Sequence, residues 1–191
     1  HRRSGLFGRD DHQQGAIPVV LTLQQLARAA SVKSLQYTTA MTLDPLRTPI
    51  RSCETDFASM ISRRDKIEIA VGECKTRGEI TDDDVEKMKA VADAFPRDRF
   101  DPYVVFAKLA PFTAEEIERA GRLNDRYRRR LILLTRRELE PYFIYKRAEK
   151  EIGERLVAVS LSDMAKATER LFLRKAPPPP TATVTDPDPK P

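Results

Sequence analysis

The chain has 191 residues, 33% of them charged, with a formal net charge of +5 and a sequence pI near 9.3. That length holds one domain with a real core plus extensions, and the basic balance fits either a polyanionic partner or a mildly basic soluble protein. Trp is absent, aromatic residues make up 7%, and the only histidines are His1 and His12, which argues against an aromatic base-stacking platform and against histidine-based catalysis by the core.

Residues 1–16 are polar and read as a linker or cloning remnant. A first residue of histidine rather than methionine leads us to expect a fragment, or the C-terminal part of a longer protein with a further domain upstream. Within an N-terminal extension over 17–49, Ile17 to Ala30 has Val20, Leu23, Ala27 and Ala30 near helical spacing. Ser31 to Pro49 is mixed, with Pro45 and Pro49 as breakers. Arg51 to Phe57 is strand-like, and Ala58 to Lys66, with Arg63, Arg64 and Asp65, reads as a turn or hairpin loop. Ile67 to Thr76 is the strongest strand, and Gly78 supplies a turn.

Thr81 with Asp84 is a variant capping box, and Asp82, Asp83 and Asp84 sit where a helix dipole favours negative charge. Helix capping is preferred for this aspartate run over metal binding. Val85, Met88, Ala92 and Phe95 continue that helix to Pro96. Tyr103 to Leu109 is a strand buried on both faces, which Lys108 interrupts, either to reach a site or to mark the solvent end. Thr113 with Glu116 is a full capping box for a helix running to about Arg130. Leu131 to Thr135 is another buried strand, and Glu138, Glu140 and Tyr142 read as surface or core-edge groups.

After Tyr145 the chain turns helical, with C-terminal helices over 147–176 and a Pro-rich, disordered tail over 177–191. The order of elements over 50–146 predicts an α/β fold, a mixed central β-sheet flanked by helices, with helical extensions at both ends.

Charge interrupts two of the strands. Glu73 and Lys75 share a face with Ile69 and Val71, and Glu54 and Asp56 repeat the anomaly. Burying such groups is costly unless they pair or hold a metal. Cys53 and Cys74 flank these residues, face away from them by alternation, and read as buried thiols in a reducing cytoplasm. Arg126, Arg128, Arg129 and Arg130, with Arg136 and Arg137, form the densest basic cluster. It either tracks phosphates or is a solvated helix end suited to the C-terminal dipole. The sequence holds no phosphate-loop motif, no nucleophile elbow, no apolar run of about 18 residues and no signal-peptide pattern. A cytoplasmic location without membrane contact is therefore expected.

Asp56, a gap of about two strands, then Glu73-Cys74-Lys75 followed by Thr76 and Gly78 resembles the PD-(D/E)XK nuclease superfamily, over roughly residues 50 to 146. Thr55 rather than proline precedes Asp56, a departure the superfamily tolerates. The resemblance implies a restriction-endonuclease-like core and a metal-dependent nuclease acting on DNA, as the C-terminal effector of a larger defence or repair protein. It implies Mg²⁺ or Mn²⁺ held by Asp56, Glu73 and the Cys74 backbone carbonyl. Lys75 would position or help deprotonate the attacking water. Glu54 is then an accessory ligand or a partner for a basic side chain, and Thr76 a hydroxyl for a phosphate or for the backbone. The competing expectation is a catalytically silent nucleic-acid-binding or protein-interaction domain, in which Lys75 merely neutralises Glu73 and Asp56. The oligomeric state is left open.

Overall fold

Helix α1 (Ala16–Ala29) precedes strands β1 (Leu35–Leu43), β2 (Cys53–Ser62) and β3 (Ile67–Lys75). Helix α2 (Asp82–Ala94), strand β4 (Phe100–Lys108), helix α3 (Ala114–Gly121) and strand β5 (Leu131–Thr135) follow. Helices α4 (Lys146–Ile152) and α5 (Leu161–Thr168) and a π-helical turn (Glu169–Leu173) complete the order. The computed structural model describes residues 16–29, 35–44, 51–63, 65–126, 128–140 and 144–174. Residues 1–15 of the linker expected over 1–16, the whole tail expected over 177–191 and Tyr142 lie outside the described residues, while Ala16 begins α1.

The strands form one sheet in the order β1-β2-β3-β4-β5. β1, β2 and β3 run antiparallel to their neighbours, while β3, β4 and β5 run parallel. Parallel neighbours need a crossover, which α2 and α3 provide. The molecule is therefore an α/β protein with a mixed sheet flanked by helices, as expected from the sequence.

On one face Ile69, Val71, Val104 and Phe106 pack against Val85 and Met88 of α2. On the other, Phe57, Val105 and Ile132 pack against Leu23 and Leu26 of α1 and Met164 of α5. Each such side chain contributes about 1.5–3 kcal/mol of burial. The Leu133 N–H donates to Thr168 Oγ1 (3.0 Å), so α5 blunts the β5 edge. Among the described residues no helix is long and apolar enough to cross a membrane.

Both capping boxes form. Thr81 Oγ1 accepts from the Asp84 N–H (3.2 Å) and Asp84 Oδ2 from the Thr81 N–H (2.8 Å). Thr113 and Glu116 repeat the arrangement at 3.2 and 2.7 Å.

Several boundaries differ from the sequence expectation, each for a local reason. β1 occupies a stretch that reads as mixed, because as an edge strand it is mostly exposed and has no buried face to impose alternation. Its Thr and Tyr residues favour extended backbone. β2 continues to Ser62 through the expected loop, burying Ser59 and Ile61. α3 stops at Gly121 rather than near Arg130. The Asn124 side chain accepts from the Arg130 and Leu131 N–H groups at 2.9 and 3.0 Å, and such side-chain bonds compete with helix. α1 is rotated from its expected phase: Val20 is exposed, and Val19, Leu23 and Leu26 are buried. Glu138 is buried, not a surface group, and accepts from the Thr135 N–H (2.9 Å) and from Arg137 Nε (2.5 Å).

Candidate active site

The site begins where β2 and β3 part. Their registered pairing ends at Phe57 opposite Gly72. Beyond that pair, the Cys74 N–H donates to the Asp56 carboxylate, Oδ2 at 2.6 Å, and the Thr55 hydroxyl donates to the Gly72 carbonyl at 2.9 Å. Side chains thus take over from the backbone ladder. On the other flank, Ala40 of β1 is skipped in the pairing with β2 and has φ 52°. A local break of this kind re-aims side chains. Cys53 packs with the α2-side cluster and Phe57 with the α1-side cluster, although both have the same strand parity. Gly72 is needed here because a Cβ at that position would overlap the Phe57 ring.

Glu73 and Lys75, two apart on β3, project toward α2. Lys75 Nζ donates to Glu73 Oε1 at 3.2 Å and pairs with Asp84 Oδ2, also at 3.2 Å. Asp84 is the third residue of α2, so the capping box that starts the helix also holds a carboxylate over β3. Gly78 leaves room for the Lys75 stem, since a Cβ there would lie 3.1 Å from Lys75 Cδ. Glu54, Asp56, Glu73 and Asp84 line one cavity of about 420 Å³, with Cys53 and Lys87.

Four carboxylates face this space and Lys75 is shared between two of them. Burial pushes the Asp56 carboxyl above its usual range, more than the Cys74 N–H and Lys75 pull it down. Burial and the neighbouring Asp56 charge push Glu73 up to about 6 despite Lys75. Lys75 is desolvated, yet Glu73 and Asp84 raise its pKa and keep it an ammonium. It is a donor at neutral pH, not a proton acceptor. Among the described residues no three His, Cys, Asp or Glu side chains close into a metal cage by themselves. The donors that face the cavity are nevertheless carboxylate oxygens in excess over ammonium groups, which suits a hard divalent cation completed by backbone oxygen and water.

Asp56, Glu73 and Glu54 are brought to one cavity, with Lys75 bonded at its wall. Glu54 forms no ion pair among the described residues, and its charge helps raise Asp56. The Cys74 side chain turns to the opposite face, where its Sγ lies 3.9 Å from Thr22 Oγ1. Thr76 lines a different cavity on the α1 side. Arg126, Arg128, Arg129 and Arg130 line a third cavity with Lys66 and Phe100, toward the opposite end of the sheet. At about 3.3 Å per residue, the ends of β3 are about 26 Å apart. These arginines are not on a helix end, because α3 has already stopped. Arg130 is buried against Asp93 (2.5 Å).

Sequence reasoning missed Asp84, Lys87 and Cys53 as lining residues. Asp84 was already accounted for as a cap, and a helix cap above a charged strand was the available signal. Lys87 lies three residues on, hence on the same helix face. Cys53 was expected to face away, but the break at Asp56 resets the alternation. Lys108 neither reaches the cavity nor marks a solvent end. Its Nζ is buried and donates to both Glu116 oxygens, at 2.7 and 2.9 Å. Glu116 in turn accepts from the Ile80 and Thr113 N–H groups, which completes its hydrogen bonding.

Fold and site together define an α/β protein with a mixed five-stranded sheet flanked by helices and a carboxylate-lined cavity at the end of β3. Among solved structures, it is similar to the crystal structure of protein VC1899 from Vibrio cholerae, with a TM-score of 0.44 and 19% identity over 69% of this chain and 33% of that one. It is also similar to the MspJI restriction endonuclease in complex with a 27-mer oligonucleotide, with a TM-score of 0.32 and 13% identity over 70% of this chain and 33% of that one. The chain thus spans about a third of each of these proteins. No family model matches the chain, and no curated protein matches it.

Proposed function

We propose that this chain is a nuclease domain that hydrolyses phosphodiester bonds in DNA with the help of Mg²⁺ or Mn²⁺. The observation that carries this reading is that Asp56 and Glu73 line one cavity whose Glu73 and Asp84 carboxylates hold Lys75. Asp56 is steered there by the 2.6 Å bond from the Cys74 N–H, and Lys75 is held by Glu73. Asp56, Glu73 and the Cys74 carbonyl oxygen would hold the cation, which supplies Lewis-acid polarisation at a phosphate oxygen. The ammonium of Lys75 has three N–H donors. Two are used by Glu73 and Asp84, which leaves one to orient a water or to bind a phosphate oxygen. As an ammonium donor, Lys75 would stabilise the charge that builds up on the phosphate. The net charge of +5 favours a polyanionic substrate.

The test is cleavage of plasmid, linear duplex and single-stranded DNA with Mg²⁺ or Mn²⁺, wild type beside Asp56→Ala and Lys75→Ala. Cleavage should require the cation and fall by about 10²–10³-fold or more in either folded variant. A folded wild type that does not cut would leave the second reading, which the Lys75 pairs with Glu73 and Asp84 also suit: a structural ion-pair network in a silent domain.

A further inference from the structure

A second cavity, of about 600 Å³, lies just past the end of β3, on the α1 side of the sheet. Its walls come from the segments that leave three parallel strands: Thr76 and Arg77 after β3, Leu109 after β4 and Arg136 after β5. The Leu109 N–H donates to the Lys75 carbonyl (3.2 Å), which fixes the first two of these exits to each other. The crevice outside the carboxyl ends of parallel strands is where open α/β sheets bind ligands. Arg147 of α4 adds a third guanidinium.

The ion pairing of these arginines distinguishes this cavity from the other basic one. Toward the far end of the sheet, Lys66, Arg97, Arg129, Arg130 and Lys166 each already hold a carboxylate, and Arg128 pairs loosely with Asp125 at 3.9 Å. Arg77 and Arg136 are exposed and form no ion pair among the described residues. Arg147 pairs only loosely with Glu140, at 3.6 Å with both side chains exposed. A guanidinium with its fork free matches phosphate geometry, whereas one already engaged must give up its partner first. Lys75 and Thr76 are neighbours that face opposite sides of the sheet. A strand crossing the carboxyl edge of β3 would therefore pass from one cavity to the other around Lys75 and Thr76.

We propose that Arg77 and Arg136, assisted by Arg147, bind backbone phosphates of the substrate strand next to the bond placed at Asp56, Glu73 and Lys75. This rests on the nuclease reading and deepens it: the substrate path runs over the carboxyl edge of β3–β5, not toward the Arg126–Arg130 cluster.

The test is a titration of a labelled mixed-sequence duplex DNA, and of its single strand, in EDTA across a NaCl series. It compares wild type, Arg77→Ala/Arg136→Ala, Arg77→Gln/Arg136→Gln and Arg128→Ala/Arg129→Ala. Thermal melts of each protein check the fold. Both Arg77/Arg136 variants should bind about tenfold or more weakly, and the slope of log K against log salt should fall by about 2, because each lost phosphate contact removes about 0.9. The Arg128/Arg129 variant should keep the wild-type slope. A wild-type slope in folded Arg77/Arg136 variants, or no binding of either probe by the wild type, overturns the proposal. Plasmid cleavage with Mg²⁺ by the same preparations separates the two readings. Binding that weakens as expected without any cleavage leaves the phosphate subsite standing and removes the nuclease.

Discussion

Glu73 bears a charge that its burial and the neighbouring Asp56 oppose. Lys75 is held in its charged form while Glu73, its own partner, is pushed toward protonation. The two shifts are compatible because Lys75 divides its charge between Glu73 and Asp84, whereas Glu73 is desolvated and also faces Asp56. A carboxyl held at about 6 rather than 4.5 binds its proton more tightly in the folded protein. Its stabilising effect is fully present below the ordinary carboxylate pKa and is lost as pH rises through 6. By linkage, that loss is up to about 2 kcal/mol. In EDTA, Glu73→Gln should therefore gain on wild type by about 1–2 kcal/mol between pH 4.5 and pH 7.5, read by denaturant titration at both pH values. A gap that stays constant, or that moves in favour of wild type, would show that Glu73 is comfortable as an anion. The position of Glu73 and Lys75 was legible at this scale, because strand alternation alone puts them with Ile69 and Val71. Asp84 was not, because its helix-capping role was already a sufficient explanation for an acid there.

At the scale of elements, the site depends on a strand pair that stops short of its end. Phe57 packs against Gly72 at the last registered pair, and the next residues along, Asp56 and Glu73, are the ones that turn to the cavity. Gly72→Ala forces the Phe57 ring out of its place. Overpacking of this kind costs about 1–3 kcal/mol. The variant should melt lower than wild type and, because Asp56 and Glu73 flank the displaced pair, should also lose cation-dependent cleavage while still folded. Unchanged stability and cleavage would mean that the strand pair does not set the spacing of the carboxylates.

The buried strands β4 and β5 and both capping boxes were plain in the sequence, since runs of Val, Phe, Ile and Leu and the T-x-x-[D/E] pattern act through local chemistry. β1 was not, because an exposed edge leaves no pattern. The break at Asp56 was not either: it arises from the way two strands separate, which no single strand encodes.

For the whole molecule, what differs along the sheet is how far its basic groups are paired. The carboxylate cavity, with Arg77 and Arg136, which form no ion pair among the described residues, lies at the carboxyl end of β3, and the paired basic cluster toward its amino end. Counting arginines along the chain pointed to Arg126–Arg130, because a sequence shows the density of charge and not the partners that cancel it. Lys108 gives the same lesson: a lysine in register with Lys75 is turned into a structural group by Glu116, which lies eight residues further along.

The central claim is that Asp56 and Glu73 share one cation, and calorimetric titration of Mn²⁺ into wild type, Asp56→Asn and Glu73→Gln tests it most directly. One site per chain in the wild type, lost or weakened by about tenfold or more in both folded variants, is the predicted result. Equal Mn²⁺ affinity in all three, or none in the wild type, would contradict it.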